Sequence, residues 1–212
     1  MTNLQHPKIE VQEAAKEAFN EFSQFYHIKS EKIKAQIVEK IKSLFDDAVN
    51  STVVETTRGI TLGMGGLAKE VLEDLKTDLL SVLMKNSLLK GKQNDDAETR
   101  KAAVEGLAEV VIALGVDNIT SQELSDILVV CMKATEDYAV DTRGDVGSWV
   151  RAAAIHTLRR ILTLFIQNAP NKLNPEMVID YVCMCLKQLS EKIDKTRQIC
   201  GTNLQYFLRE NG

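Results

Sequence analysis

Thr99-Arg-Lys-Ala-Ala-Val-Glu-Gly-Leu107 decides the fold, because its pattern returns along the chain. The same frame is readable in Val11-Gln-Glu-Ala-Ala15, Thr57-Arg-Gly-Ile-Thr61, Val150-Arg-Ala-Ala-Ala154 and Thr196-Arg-Gln-Ile-Cys200. Each window opens on a β-branched residue. Arg58, Arg100, Arg151 and Arg197 come next, and Gln12 holds that place in the first window. Three residues further on the side chain is always small: Ala15, Thr61, Ala103, Ala154 and Cys200. Seven residues on stand Phe19, Gly65, Leu107, Leu158 and Leu204; ten on, Phe22, Ala68, Val110, Ile161 and Phe207. Steps of three, seven and ten return to nearly one face of a helix, so each window predicts a helix with a close-packing stripe.

The arginine positions are spaced by 46, 42, 51 and 46 residues, counted from 12 to 58, 100, 151 and 197. Periods of about 40–47 residues belong to HEAT and armadillo repeats, whose unit is a pair of packed helices. Partner helices of suitable length lie between the windows. Residues 31–49 carry Ile33, Ile37, Ile41, Leu44 and Phe45 behind Ser30, a candidate N-cap; residues 74–88 carry Leu75, Leu79, Leu80 and Leu83. Residues 121–136 open on Thr120 or Ser121, and residues 175–189 open on Asn174-Pro175, a cap with a first-turn proline. The expected fold is an all-α, right-handed α-solenoid of about four and a half HEAT-like pairs, forming one segment over residues 1–212. A lone second-type helix at 8–26 leads it. Solenoids close on atypical polar caps, so this opening half-repeat implies a piece cut from a longer chain.

Composition agrees. Of 212 residues, 44% are hydrophobic and 5% aromatic, with three prolines, enough for a core and little for strands. Net charge is −4, from 26 basic and 30 acidic residues, which leaves no electrostatic footprint for nucleic acid. Cys131, Cys183, Cys185 and Cys200 sit within apolar helical patterns and read as buried, reduced thiols. No signal peptide or membrane-spanning run of ~18 apolar residues is visible. A cytoplasmic location is expected.

Candidate chemistry is sparse. Gly63-Met-Gly-Gly-Leu-Ala68 looks superficially like a dinucleotide fingerprint, but no strand precedes it, so the glycines read as sites of tight helix packing. Cys183 and Cys185 point about 200° apart on a helix and cannot share a metal ion, while His6, His27 and His156 lie scattered. No nucleophile has a recognisable base, so no catalytic residue, metal or cofactor is expected and the chain is not read as an enzyme.

One stretch departs from the helical monotony: Asp141-Thr-Arg-Gly-Asp-Val-Gly-Ser-Trp-Val-Arg151. Asp145 precedes Arg151 by six residues, the spacing of the Asp/Arg ladder of many HEAT units, and Asn94 before Arg100 and Glu191 before Arg197 share that offset. Asp145, Arg151, Arg58, Arg100, Arg197 and Glu191 therefore read as a structural ladder. Asp145 or Ser148 caps the following helix, with Gly144 and Gly147 relaxing the turn. Trp149 reads either as a core plug or as an exposed anchor for a partner. Arg143 lacks a ladder partner. With Gly144 and Trp149 it forms the candidate protein-binding set.

Residues 141–154 resemble the signature of the tubulin-folding cofactor D family of large HEAT-type tubulin chaperones. Thr57-Arg-Gly-Ile-Thr-Leu-Gly-Met-Gly-Gly-Leu67, residues 107–116 and Ser190-Glu-Lys-Ile-Asp-Lys-Thr-Arg197 are similar to it in the same order. The likeness covers roughly residues 40–210 and corresponds to the C-terminal region of a much longer protein. It implies capture of β-tubulin, assembly with tubulin cofactors C and E and an Arf-like small GTPase, and joining or separating of the αβ-tubulin dimer. It also implies a contribution to GTPase activation with cofactor C and association with the cytoskeleton, with no residue assigned to catalysis. The alternative is a HEAT scaffold of another kind, a transport receptor or phosphatase scaffold, in which residues 141–151 are ladder architecture alone.

Overall fold

The structure, a computed structural model, describes residues 2–25, 30–89, 91 and 95–211. Its helices are α1 (Ile9–Ser23), α2 (Glu31–Asn50), α3 (Val54–Met64), α4 (Lys69–Asn86), α5 (Ala97–Leu114), α6 (Ser121–Ala134), α7 (Gly147–Asn168), α8 (Pro175–Gln188) and α9 (Asp194–Asn211). The windows carrying the repeated frame lie on α1, α3, α5, α7 and α9, each stacked on the next. Helices α2, α4, α6 and α8 form a second layer, each packed against the window helix that follows it. This is the all-α solenoid expected from the period, with α1 as the leading half-repeat.

The frame explains the stacking. Thr61, Ala103, Ala154 and Cys200 are all fully buried, as are Leu107 and Val110 on α5 and Leu158 and Ile161 on α7. Small side chains at the first position let neighbouring window helices approach, and the larger ones fill the space between the layers. Helix α5 stands centrally and buries residues on most of its sides, leaving a stripe of Glu98, Lys101, Glu105 and Glu109 partly open. On α1, which has a window helix on one side only, Ala15 and Phe19 are half-buried and Phe22 is exposed.

Local signals set the helix starts. Asp96 accepts from Thr99 N at 2.8 Å, Thr120 and Glu123 form a reciprocal capping box, and Asn174 accepts from Glu176 N ahead of Pro175. Ser30 occupies the N-cap position of α2 without a side-chain cap bond. Helix α4 begins at Lys69, earlier than the expected residue 74, because α3 ends at Met64 and the chain turns within Gly65–Ala68. That turn brings Val71 and Leu72 into the core. A Cβ on Gly65 would come 3.0 Å from Gly106 Cα, so this glycine does serve close helix packing.

Between α6 and α7 the chain forms a small antiparallel hairpin, β1 (Val140–Asp141) with β2 (Gly144–Asp145). Gly144 takes φ +103°, a conformation L side chains rarely adopt. Gly147 donates its N–H to Ala139 O at 2.9 Å, and a Cβ there would lie 2.3 Å from Asp137 O. The turn therefore needs glycine at both positions. Three earlier expectations fall outside the described residues: His27, Asn94 and the end of the first helix at 26. Among the described residues no helix is long and apolar enough to cross a membrane.

Candidate functional site

Arg58, Arg100 and Arg151 are buried cations held by polar groups of neighbouring elements, and Arg197 is half-exposed. Arg58 donates through Nε to Gln12 Oε1 on α1 (3.0 Å), through Nη2 to Pro7 O (3.1 Å) and through Nη1 to Glu98 at the start of α5. Arg100 pairs with Asp95 and closes on Asp137, Nε to Oδ2 at 2.6 Å and Nη2 to Oδ1 at 3.3 Å. Arg151 donates to Asp137 O (2.6 Å) and to Asp145 Oδ2 (2.9 Å), with its guanidinium 4.3 Å above the Tyr138 ring. Tyr138 in turn donates its hydroxyl to Glu191 beside α9 (2.5 Å), and Arg197 donates to the Glu191 main-chain oxygen (2.6 Å). That hydrogen bond to the Glu191 carboxylate holds the Tyr138 phenol above its ordinary pKa.

Two expectations about this ladder change. Asp145 and Arg151 belong to one repeat unit, so their ion pair is internal to it; the links between units run through Glu98, Asp137 and Tyr138. Glu191 meets Arg197 through its backbone, because its carboxylate is engaged by Tyr138. Sequence reasoning missed Glu98, Asp137 and Tyr138, since none shares a fixed offset from the arginine it serves.

Arg143, read as lacking a ladder partner, makes several contacts outside the ladder. Its Nε and Nη2 reach Asp141 Oδ2 at 3.0 and 2.7 Å, its Nη1 reaches Glu98 Oε1 at 3.2 Å, and its Cζ lies 5.0 Å from the Trp149 ring centre. Hydrogen bonds from Arg143 hold the Asp141 carboxyl below its usual range. Glu98 thus joins Arg58 and Arg143. The Arg143 side chain nonetheless stays 45% exposed at the hairpin turn, and Gly144 is exposed beside it.

Trp149 is half-buried. One side packs on a small cluster containing Val104, Ala134, Val146 and Val150, and the other lines an open groove of about 760 Å³. The groove crosses the window helices, taking Ile9 and Glu13 from α1, Leu62 from α3, Lys101, Ala102 and Glu105 from α5, Trp149, Ala152, Ala153 and His156 from α7, and Ile199 and Asn203 from α9. Its floor is apolar and small, with charges along the rim. Burial, reinforced by neighbouring Glu109, raises the pKa of Glu105, and burial lowers that of His156.

The thiols add little chemistry. Burial pushes the Cys131 pKa up to about 12, which keeps it protonated and inert. Cys200 is buried and donates to Cys185 O at 3.1 Å. Cys183, expected to be buried, is exposed: it lies two residues from buried Cys185 and faces the opposite side of α8. Among the described residues no group of three His, Cys, Asp or Glu side chains could hold a metal ion.

An apolar groove with an aromatic wall, fixed charges and a projecting hairpin suits docking of a protein segment. No protein-family model matches the chain. It is 28% identical to tubulin-specific chaperone D of Dictyostelium discoideum over 234 aligned positions, covering 93% of this chain and 16% of that protein. It is also 32% identical to tubulin-folding cofactor D of Schizosaccharomyces pombe over 82 residues, covering 39% of this chain and 7% of that protein. The chain therefore spans a small fraction of these relatives' length. Over nearly its whole extent it is similar to a tubulin-folding cofactor D, the family that residues 141–154 resemble.

Proposed function

We propose that the chain is a segment, from the C-terminal region, of a tubulin-folding cofactor D and acts as a tubulin chaperone. The observation that carries this reading is the similarity to a tubulin-specific chaperone D across 93% of the chain. The groove and hairpin are in keeping with it. They offer a preformed surface for a folded or nearly folded partner, and no described cluster calls for chemistry of its own. The segment binds β-tubulin through the groove walled by Trp149, with Arg143 and Gly144 contributing at its edge. Tubulin cofactors C and E and an Arf-like GTPase bias the assembly toward joining or separating the αβ-tubulin dimer. Any contribution to GTP hydrolysis arises only within that complex. The protein works in the cytoplasm, in association with the cytoskeleton.

Retrieval of bound proteins from cytosol by the immobilised chain tests the reading. Recovery of β-tubulin or the Arf-like GTPase is the expected result. Recovery of transport or phosphatase subunits in their place rejects it in favour of another HEAT scaffold.

A further inference from the structure

Helices α8 and α9 bring Cys185 and Cys200 together in the core, where both side chains are fully buried. The Cys200 S–H lies 3.1 Å from the Cys185 main-chain oxygen and within hydrogen-bond reach of the Cys185 sulfur. That second contact lowers the pKa of Cys185 and raises that of Cys200, so Cys185 is the thiol that ionises first. Tyr181, one turn before Cys185 on α8, is fully buried too. Its hydroxyl is left without a hydrogen-bond partner at rest and stands near the Cys185 sulfur, where it can donate to a thiolate. The other two cysteines differ: Cys131 on α6 is held neutral by burial, and Cys183 faces solvent. The Tyr181, Cys185 and Cys200 cluster belongs to neither the arginine ladder nor the groove.

We propose that Cys185 and Cys200 are a modification site, a dithiol that a hydroperoxide converts into a disulfide clamping α8 to α9. The Cys185 thiolate attacks the distal peroxide oxygen. An S–O bond forms, the O–O bond breaks, and the leaving oxygen takes a proton and departs as water or an alcohol. Cys200 then attacks the sulfenic sulfur, forming the S–S bond, while the displaced oxygen leaves as water with the Cys200 proton. Two thiols and one hydroperoxide thus give one disulfide, one water and the reduced peroxide. The cluster is closed at rest, so the oxidant enters when the α8–α9 hairpin opens locally. Residues 189–193 alone join the two helices, and the new bond restricts the unfolded chain across that connection, which stabilises the folded pair. The proposal does not depend on the tubulin reading.

The test uses the intact chain carrying Cys183→Ser, which removes the exposed thiol and leaves Cys131, Cys185 and Cys200. The folded protein is treated with hydrogen peroxide, the remaining thiols are alkylated in denaturant, and the chain is cut with trypsin. Cleavage after Lys187 and Arg197 puts Cys185 and Cys200 on separate peptides. The expected result is recovery of those two peptides joined, with Cys131 alkylated, and their separation by reductant. The oxidised chain should also melt higher by roughly 5 °C or more and return to the starting value on reduction. Cys185 carried to sulfinic acid while Cys200 is recovered alkylated overturns the proposal. So does a disulfide that includes Cys131, a failure of either cysteine to oxidise, or a joined pair that leaves the melting temperature unmoved. Should Cys183→Ser not fold, the same map on the unaltered chain decides, with fragmentation of the joined peptides assigning the bond to Cys183 or Cys185.

Discussion

Arg100 closes on Asp137 with two donors of its guanidinium, Nε to Oδ2 at 2.6 Å and Nη2 to Oδ1 at 3.3 Å, and both side chains are almost wholly withdrawn from solvent. Arg100 belongs to α5 and Asp137 to the segment entering α7, so one ion pair fixes two repeat units. Removing one partner of a buried pair strands the other charge, which costs about 3–5 kcal/mol. Arg100→Ala should therefore lower the melting temperature by roughly 6 °C or more, measured by circular dichroism. A shift within error would mean that Asp137 is not held as described.

Arg143 should behave differently, although it also meets two carboxylates. Its side chain is exposed, and exposed ion pairs contribute about 0–1 kcal/mol. Arg143→Ala should leave the melting temperature within a few degrees of the parent while reducing partner retrieval. Extensive melting would assign Arg143 to the scaffold and remove it from the docking surface.

Tyr138 joins α7 to α9 by two separable contacts, its ring under Arg151 and its hydroxyl on Glu191. Tyr138→Phe keeps the first and loses the second, an expected cost of about 0.5–1.5 kcal/mol. Tyr138→Ala loses both and should cost more. Equal denaturation midpoints for the two variants would contradict this division.

The turn before α7 supplies a test by backbone. Gly147→Ala sets a methyl group against Asp137 O, the same carbonyl that accepts from Arg151, so relief of the clash disturbs the ladder. We expect a loss of more than about 1 kcal/mol, read from chemical denaturation. Gly144→Ala has open space around it and only the strain of φ +103°, about 1–3 kcal/mol.

His156 contributes a pH dependence of known sign. Partial desolvation, with the positive charges of Arg159 and Arg160 nearby, lowers its pKa below the ordinary 6.5, so the unfolded chain takes up the proton first as pH falls. The stability linked to neutral His156 is fully present above pH 6.5 and is lost progressively as pH drops through the lower folded value. The melting temperature of His156→Gln should accordingly fall less steeply below pH 6.5 than that of the parent, the two running parallel above it. An identical slope in both would exclude His156 as the source.

The fold was legible because one stripe serves every window helix. Ala103, Ala154 and Cys200 occupy equivalent positions, and close packing admits little else there. The start of α4 was misread because Gly65 and Gly66 were taken into a helix that stops before them. Ladder partners were harder to see. Asp145 lies at a fixed offset from Arg151 within one unit, whereas Asp137 and Glu98 come from other units, across loops whose length varies. The groove left no local signature: its floor of Ala102, Ala152 and Ala153 reads in sequence as ordinary packing residues, and only stacking of the helices leaves some of those small faces open.

The central claim, that this segment engages tubulin, is tested most directly by sedimentation velocity of the fluorescently labelled chain titrated with purified αβ-tubulin. The account predicts a faster-sedimenting species containing the labelled chain, saturating by about 10 μM tubulin and diminished by Arg143→Ala. A chain that sediments unchanged throughout the titration would contradict it.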